Sequence, residues 1–146
     1  MRIVNRRAKH DYQIIDEIEA GVALTGAEVK SLREGRGSLI GSFVRIKDGE
    51  AWLHNFVVPA YRHADARGYD PARSKKLLLH KKEILALSHK MEGKRLALVP
   101  LACYMSGRFV KVKLGLGRGK KKYEKREAKR RLDLEREAAR ALKSRG

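Results

Sequence analysis

The chain has 146 residues, 35 of them Lys or Arg against 17 Asp or Glu, for a formal net charge of +18. That length excludes a multidomain enzyme, and that charge calls for a polyanionic partner. With 42% apolar and only 6% aromatic residues, the sequence supports one compact core of modest size plus an appendage.

The first ten residues carry charge with no apolar signal core behind them, and no later window approaches the roughly 18 apolar residues of a membrane span. A cytoplasmic protein with no membrane partner is therefore expected. Within this arm, Arg6, Arg7 and Lys9 stand beside His10 and Tyr12. Cations that meet phosphates thus adjoin rings that can stack on bases, although a frayed charged terminus has the same composition.

Residues 11–19 put Tyr12, Ile14 and Ile18 on one alternation, which predicts a half-buried strand with Gly21 at its end. Thr25-Gly26-Ala27-Glu28 has the spacing of a capping box, and Val29, Leu32 and Arg33 follow at helical spacing before Gly35, so a short helix is expected. Two apolar runs, 42–46 and 51–58, flank Lys47-Asp48-Gly49-Glu50, a hairpin signal, and Pro59 ends the second. Residues 60–76 combine turn residues and charge without periodicity and read as a long exposed loop, suited to contact rather than core. Leu77-Leu78-Leu79 begins a buried strand, and residues 82–91 form a short helical pattern ended by Gly93. Residues 95–104 and 109–117 make the final strand pair, joined at Ser106-Gly107. In the second, Val110, Val112 and Leu114 point inward and Lys111 and Lys113 outward. The single cysteine, Cys103, lies in an apolar run and reads as a buried thiol in a reducing compartment. Together these elements describe a mainly β chain with short helices: a closed or nearly closed antiparallel barrel of the oligonucleotide-binding type.

Charge divides the chain after Gly117. Residues 1–117, the expected RNA-binding barrel, hold 22 basic and 12 acidic side chains; residues 118–146 hold 13 and 5. This basic tail has few aliphatic residues to bury, so it is expected to be disordered when free and helical when bound. Its root, Arg118-Gly119-Lys120-Lys121-Lys122-Tyr123-Glu124-Lys125-Arg126, combines a glycine, a dense cationic run and one aromatic.

Catalytic constellations are missing. The glycines at 115, 117 and 119 fail the phosphate-loop pattern at Leu114 and Lys121, and fail the dinucleotide pattern at Lys120. The five histidines are scattered and have no cysteine partners, so neither a metal nor a cofactor is expected. His10 and Asp11 would diverge if both lay on a strand, which argues against a nuclease dyad and for a surface or RNA-contacting histidine. A lone Glu19 reads as a structural acceptor. The chain is therefore expected not to be an enzyme.

Several segments together resemble the SmpB family of SsrA-binding proteins: Asn5-Arg6-Arg7-Ala8-Lys9-His10-Asp11-Tyr12, Glu19-Ala20-Gly21-Val22-Ala23-Leu24, Glu28-Val29-Lys30-Ser31-Leu32-Arg33, Lys76-Leu77-Leu78-Leu79, Lys111-Val112-Lys113 and Gly119-Lys120-Lys121-Lys122-Tyr123-Glu124-Lys125-Arg126. The likeness runs in order over essentially the whole chain. It implies a barrel that grips the tRNA-like domain of transfer-messenger RNA (tmRNA, SsrA RNA), the pair imitating a tRNA with protein in place of the anticodon arm, in the rescue of stalled ribosomes by trans-translation. By the same resemblance, Glu19, Leu78 and Lys111 fall on RNA-binding positions, with Asn5, Arg6, Arg7, His10, Tyr12 and Lys113 on the same surface. Lys111 would meet a phosphate, His10 and Tyr12 would stack, and Glu19 and Leu78 would hold the surface in shape. The tail would enter the empty messenger channel of the small subunit near the decoding centre. There Gly119 would be a hinge, with Lys120, Lys121, Lys122, Lys125 and Arg126 along ribosomal RNA and Tyr123 where many relatives have histidine. The partners implied are transfer-messenger RNA and the ribosome, mainly its small-subunit RNA, met by a monomer. The competing account is a structural ribosomal protein or a general RNA-binding protein, which composition alone favours; the motif set reverses that order.

Overall fold

Among the described residues, seven strands hydrogen-bond into one antiparallel sheet: β1 (Arg2–Val4), β2 (Tyr12–Val22), β3 (Phe43–Lys47), β4 (Glu50–His54), β5 (Lys75–Leu78), β6 (Leu96–Ser106) and β7 (Phe109–Gly119). Helices α1 (Ala8–Asp11), α2 (Gly26–Arg33), α3 (Lys81–Met91) and α4 (Lys122–Arg145) accompany them. The computed structural model describes residues 1–145, and their side chains apart from those of Lys122, Tyr123, Ala128, Ser144 and Arg145. The spatial order is β1-β6-β7-β2-β5-β4-β3, and the sheet curls until the β3 edge lies against β6. This is the mainly β, nearly closed barrel that the strand series predicts.

Inside the curl, Leu53, Phe56, Leu77, Leu98, Val112 and Leu114 are buried, and Leu32 of α2 and Ile84 and Leu87 of α3 join them. Each such side chain contributes about 1.5–3 kcal/mol by leaving water. Helix α2 starts where the sequence says it should. The Thr25 amide donates to Glu28 Oε1 at 2.8 Å, and the Glu28 amide to Thr25 Oγ1 at 3.2 Å. Between β3 and β4, Asp48 (φ 52°) and Gly49 (φ 75°) both take the left-handed conformation that a two-residue hairpin requires. Strand β4 stops at His54, four residues earlier than its apolar run, because Asn55 turns left-handed (φ 58°).

Two differences from the sequence reading concern β2 and the amino terminus. Strand β2 reaches Val22 and carries a bulge at Ile15, since Ile14 pairs with Gly117 and Asp16 with Leu116. The bulge moves the inward set by one residue. Ile18 therefore packs into the main core, whereas Tyr12 and Ile14 lie on the outer face with Val99, Leu101 and Ala8. The amino-terminal arm is not frayed: β1 pairs with β6 from Arg2↔Tyr104 to Val4↔Ala102.

The glycines that looked like a phosphate loop belong to β7, where they make room. A Cβ on Gly115 would sit 3.0 Å from Leu101 Cδ1, and one on Gly117 would sit 3.0 Å from Tyr12 Cβ. Their absence lets a second apolar layer settle directly on the sheet.

Candidate nucleic-acid interface

The outer face of the sheet aligns side chains from strands far apart in sequence. Pairing sets Leu78 of β5 opposite Gly21 of β2, Gly21 opposite Lys111 of β7, Lys111 opposite Tyr104 of β6, and Tyr104 opposite Arg2 of β1. In the next row, Glu19 lies opposite Lys113. The barrel thus brings Glu19, Leu78, Lys111 and Lys113 together on one face. Leu78 is 57% exposed and its side chain covers Gly21, leaving an apolar plate beside a cation. Lys113 lies 3.7 Å from Glu17.

Sequence reasoning missed two members of this face. Tyr104 donates its hydroxyl to Glu19 Oε2, and the Arg2 guanidinium lies 5.5 Å from the Tyr104 ring centroid. That hydrogen bond, with burial second, pushes the Tyr104 hydroxyl up to about 12. The signal available was parity: antiparallel pairing with Lys111 puts alternate residues of the preceding strand on the lysine face.

Of the amino-terminal residues, Asn5 departs from its expected place. It is buried, its amide nitrogen Nδ2 donates to the Pro100 carbonyl at 2.8 Å, and its backbone N–H donates to Leu101 at 2.8 Å. Both bonds lie at a bulge in β6 between Pro100 and Ala102, so Asn5 pins the arm across the outer face instead of presenting itself there. Arg6, Arg7 and His10 are exposed; Tyr12 is half-buried against the second apolar layer. His10 and Asp11 do not diverge, because residues 8–11 are helical: His10 Nδ1 lies 2.9 Å from Asp11 Oδ1. This contact, followed by the nearby Lys125 ammonium, holds the Asp11 carboxyl below its ordinary value.

The tail is fastened at its root. Strand β7 continues two residues past Gly117, pairing Arg118 with Gln13 and Gly119 with Tyr12. Gly119 is therefore a ladder residue, and the chain leaves the sheet at Lys120 and Lys121. Arg118 donates to Glu124 Oε2 and to Gln13 Oε1, both at 2.9 Å. Lys120 donates through its amide to the Asp11 carbonyl at 2.8 Å and through Nζ to the Lys9 carbonyl at 2.7 Å. Lys125 Nζ lies 3.5 Å from Asp11 Oδ1. Lys121 and Arg126 are exposed, and the side chains of Lys122 and Tyr123 lie outside the described residues.

The 60–76 loop is less free than its composition suggests. Fully buried Glu28 accepts from Arg73 Nη2 at 2.5 Å and lies 3.8 Å from the fully buried Lys75 ammonium. Lys75 in turn donates to the Phe56 and Arg73 carbonyls, each at 2.8 Å. Burial opposes ionisation of Glu28, but Arg73, the Thr25 amide and Lys75 outweigh it and hold the carboxyl below its ordinary range. Tyr69 closes the loop by donating its hydroxyl to the Val58 carbonyl at 2.6 Å. Among the described residues, no group of three or more His, Cys, Asp or Glu could hold a metal ion, and no helix is long and apolar enough to cross a membrane. Burial pushes the Cys103 thiol up to about 12.

Comparison with known proteins identifies the family. The family model described as SmpB protein matches residues 2–144. An SsrA-binding protein of Sulfurihydrogenibium is 52% identical over 139 residues, spanning 95% of this chain and 91% of the relative. One from Carboxydothermus hydrogenoformans is 48% identical over 141 residues, spanning 97% and 95%. A solved chain described under "tmRNA-SmpB: a journey to the center of the bacterial ribosome" superposes with a TM-score of 0.70 at 48% identity, over 89% of this chain and 95% of that one. The chain belongs to the SmpB family.

Proposed function

We propose that this chain is a non-catalytic RNA-binding adaptor of the cytoplasm. Its barrel binds the tRNA-like domain of transfer-messenger RNA, and its tail engages the ribosome during rescue of stalled translation. The observation that carries the reading is the row Leu78, Gly21, Lys111, Tyr104 and Arg2, with Glu19 and Lys113 beside it, on one face of a family member's barrel. A cation, an exposed aliphatic plate and a ring on a rigid sheet suit phosphate contact and base packing.

The two working parts are the body, 1–117, and the tail, 118–146, with the last two strand residues structurally in the body. From Arg126 to Lys143 every described side chain is exposed. Pairs at four-residue spacing give only about 0.2–0.5 kcal/mol each, so free in solution this segment exchanges between helix and coil. On the ribosome, its cations would lie along ribosomal RNA in the vacant messenger channel, with the helix forming on contact.

The test is a purified translation system with ribosomes stalled at the end of a truncated messenger. Full-length chain plus transfer-messenger RNA should free the ribosomes, and a chain ending at Lys121 should not. Equal rescue by the shortened chain would remove the tail from the mechanism.

A further inference from the structure

A groove of about 1160 Å³ runs between the β3–β4 hairpin and α3. That exceeds the roughly 300–1,000 Å³ of a small-molecule site and suits a length of chain. Half-buried Trp52 and Met91 line it, and Leu85, 60% exposed, stands on its α3 side. Its charge runs against that of the whole molecule: Asp48, Glu50 and Glu92 outnumber Arg45 and Lys47, on a chain with a net charge of +18. Lys76 engages Glu50 at 3.3 Å. Glu92 has His89 at 3.9 Å, and Asp48 has no hydrogen-bond or ion-pair partner among the described residues. A groove of this sign disfavours an RNA backbone and suits an apolar segment flanked by Lys or Arg.

The chain carries such a segment. Lys129-Arg130-Arg131-Leu132-Asp133-Leu134-Glu135-Arg136 sets two leucines among four cations. In helix α4 these leucines are 47% and 59% exposed, and their two-residue spacing points them to different sides; in an extended chain the same spacing puts both on one side. The tail can reach the groove with its root still fastened. Lys125 is held 3.5 Å from Asp11, and Leu132 lies seven residues further on, up to about 23–25 Å of extended chain. From Asp11 to Asp16 is about 16 Å of strand. There Lys90 of α3 bonds Asp16 at 3.1 Å, and Ser88 and Met91 of the same helix wall the groove. A second copy is the poorer occupant, because two chains of +18 repel each other. We propose that the groove holds residues 129–136 of the chain's own tail, extended, when the tail has no outside partner. Leu132 and Leu134 then pack on Trp52 and Leu85, and the flanking cations meet Asp48 and Glu92. The tail thus has two seats, extended on the body and helical on its partner, and the first keeps its cations from bulk RNA. The groove seat stands independently of which outside partner the tail meets.

Trp52 is the only tryptophan of the chain, so its emission reports the groove without a label. The full-length chain is compared with a full-length Leu132→Ser, Leu134→Ser variant at near-physiological salt. Both leucines are exposed and outside the core, and thermal unfolding checks that the variant is folded. Its Trp52 emission should shift to the red, and acrylamide, a neutral quencher, should quench it with a constant about 2-fold larger, as a docked majority is emptied. Leu142→Ser, outside the segment, should leave both readings unchanged. Glu92→Lys should act in the same direction as the leucine changes in the otherwise unaltered chain and add nothing in the leucine variant, because the two sites share one contact. None of these readings should change on dilution, since the tether supplies an effective concentration on the order of millimolar.

Identical emission and quenching in the unaltered chain and the leucine variant overturn the proposal. An effect of Leu142→Ser equal to that of the leucine pair also overturns it, because that marks non-specific collapse of the tail. Shielding of Trp52 that fades on dilution makes the occupant a second copy and removes the intramolecular seat. A blue shift of Trp52 in the leucine variant on addition of a short single-stranded RNA would assign the groove to nucleic acid instead.

Discussion

Glu28→Gln is the sharpest probe of how the barrel is held. Glu28 is fully buried; it caps α2, accepts from Arg73 and lies 3.8 Å from the fully buried Lys75. The amide keeps an oxygen for the Thr25 N–H but removes the charge, leaving an ammonium in the core held by two carbonyls and the face of the Phe56 ring. Breaking a buried pair from one side costs about 3–5 kcal/mol, a large share of the roughly 5–15 kcal/mol that holds a domain together. For a body of this size that is a drop of roughly 10–20 °C in Tm. Replacing both partners, as in Glu28→Gln with Lys75→Met, should recover most of the loss, because the uncompensated charge is gone.

The pH dependence is fixed in sign. Since the folded pKa of Glu28 lies below its ordinary 4.5, its stabilisation is complete above that value and is lost as pH falls through the folded value. The unaltered chain should therefore lose stability on that acid leg, and Glu28→Gln should flatten it. The Lys75 pKa is lowered from 10.5 mainly by burial, with Glu28 opposing that shift. Without the carboxylate, the variant's deficit should shrink as pH rises toward 10. Chemical denaturation from pH 3 to pH 10 reads both effects. A deficit under about 1 kcal/mol at pH 7, or an unchanged acid leg, would refute the reasoning.

Gly117→Val should destabilise the body by about 1–3 kcal/mol, because its Cβ alone would stand 3.0 Å from Tyr12 Cβ; urea unfolding measures it, and no change would mean the second layer yields freely. At the tail root, Asp11 and Glu124 are held below their ordinary values, first by hydrogen bonds from His10 and Arg118 respectively. The attachment is therefore complete above the ordinary carboxylate range and released as pH falls through and below it. A fluorophore pair between barrel and α4 should report a wider spread of distances in acid, and a constant distance from pH 7 to pH 2.5 would contradict the latch. Circular dichroism of a peptide covering 118–146 should show little helix in plain buffer, and a stable helix there would overturn the account of a tail that folds on contact.

What the sequence made legible followed local rules. Alternation put Lys111 and Lys113 on one face, Thr25 and Glu28 announced α2, and Asp48-Gly49 announced its hairpin. Likeness to the family pointed to Glu19 and Leu78, and the barrel sets them on the lysine face. What stayed hidden depends on pairing over long separations. Tyr104 and Glu19 are 85 residues apart and meet only because β6 and β2 flank β7. The single extra residue at Ile15 inverts which side chains of β2 face the core, and no periodicity announces it. Glu28 read only as half of a capping box, since its other partners, Arg73 in the long loop and Lys75 at the start of β5, lie more than 40 residues away. The resemblance set Asn5 on the RNA face; its bond to the Pro100 carbonyl, 95 residues away, is another long-range contact that no local rule announces.

The most direct measurement of the central claim is competition binding. Full-length chain and a chain ending at Lys121 are titrated with the tRNA-like domain of transfer-messenger RNA, in excess bulk tRNA at near-physiological salt. Binding by charge alone weakens steeply with salt and does not discriminate among RNAs. The account predicts that both chains bind tightly and resist the competitor, because selection resides on the face around Lys111. Selectivity that disappears with the tail, or is absent from both chains, would contradict it and leave a general RNA-coating protein.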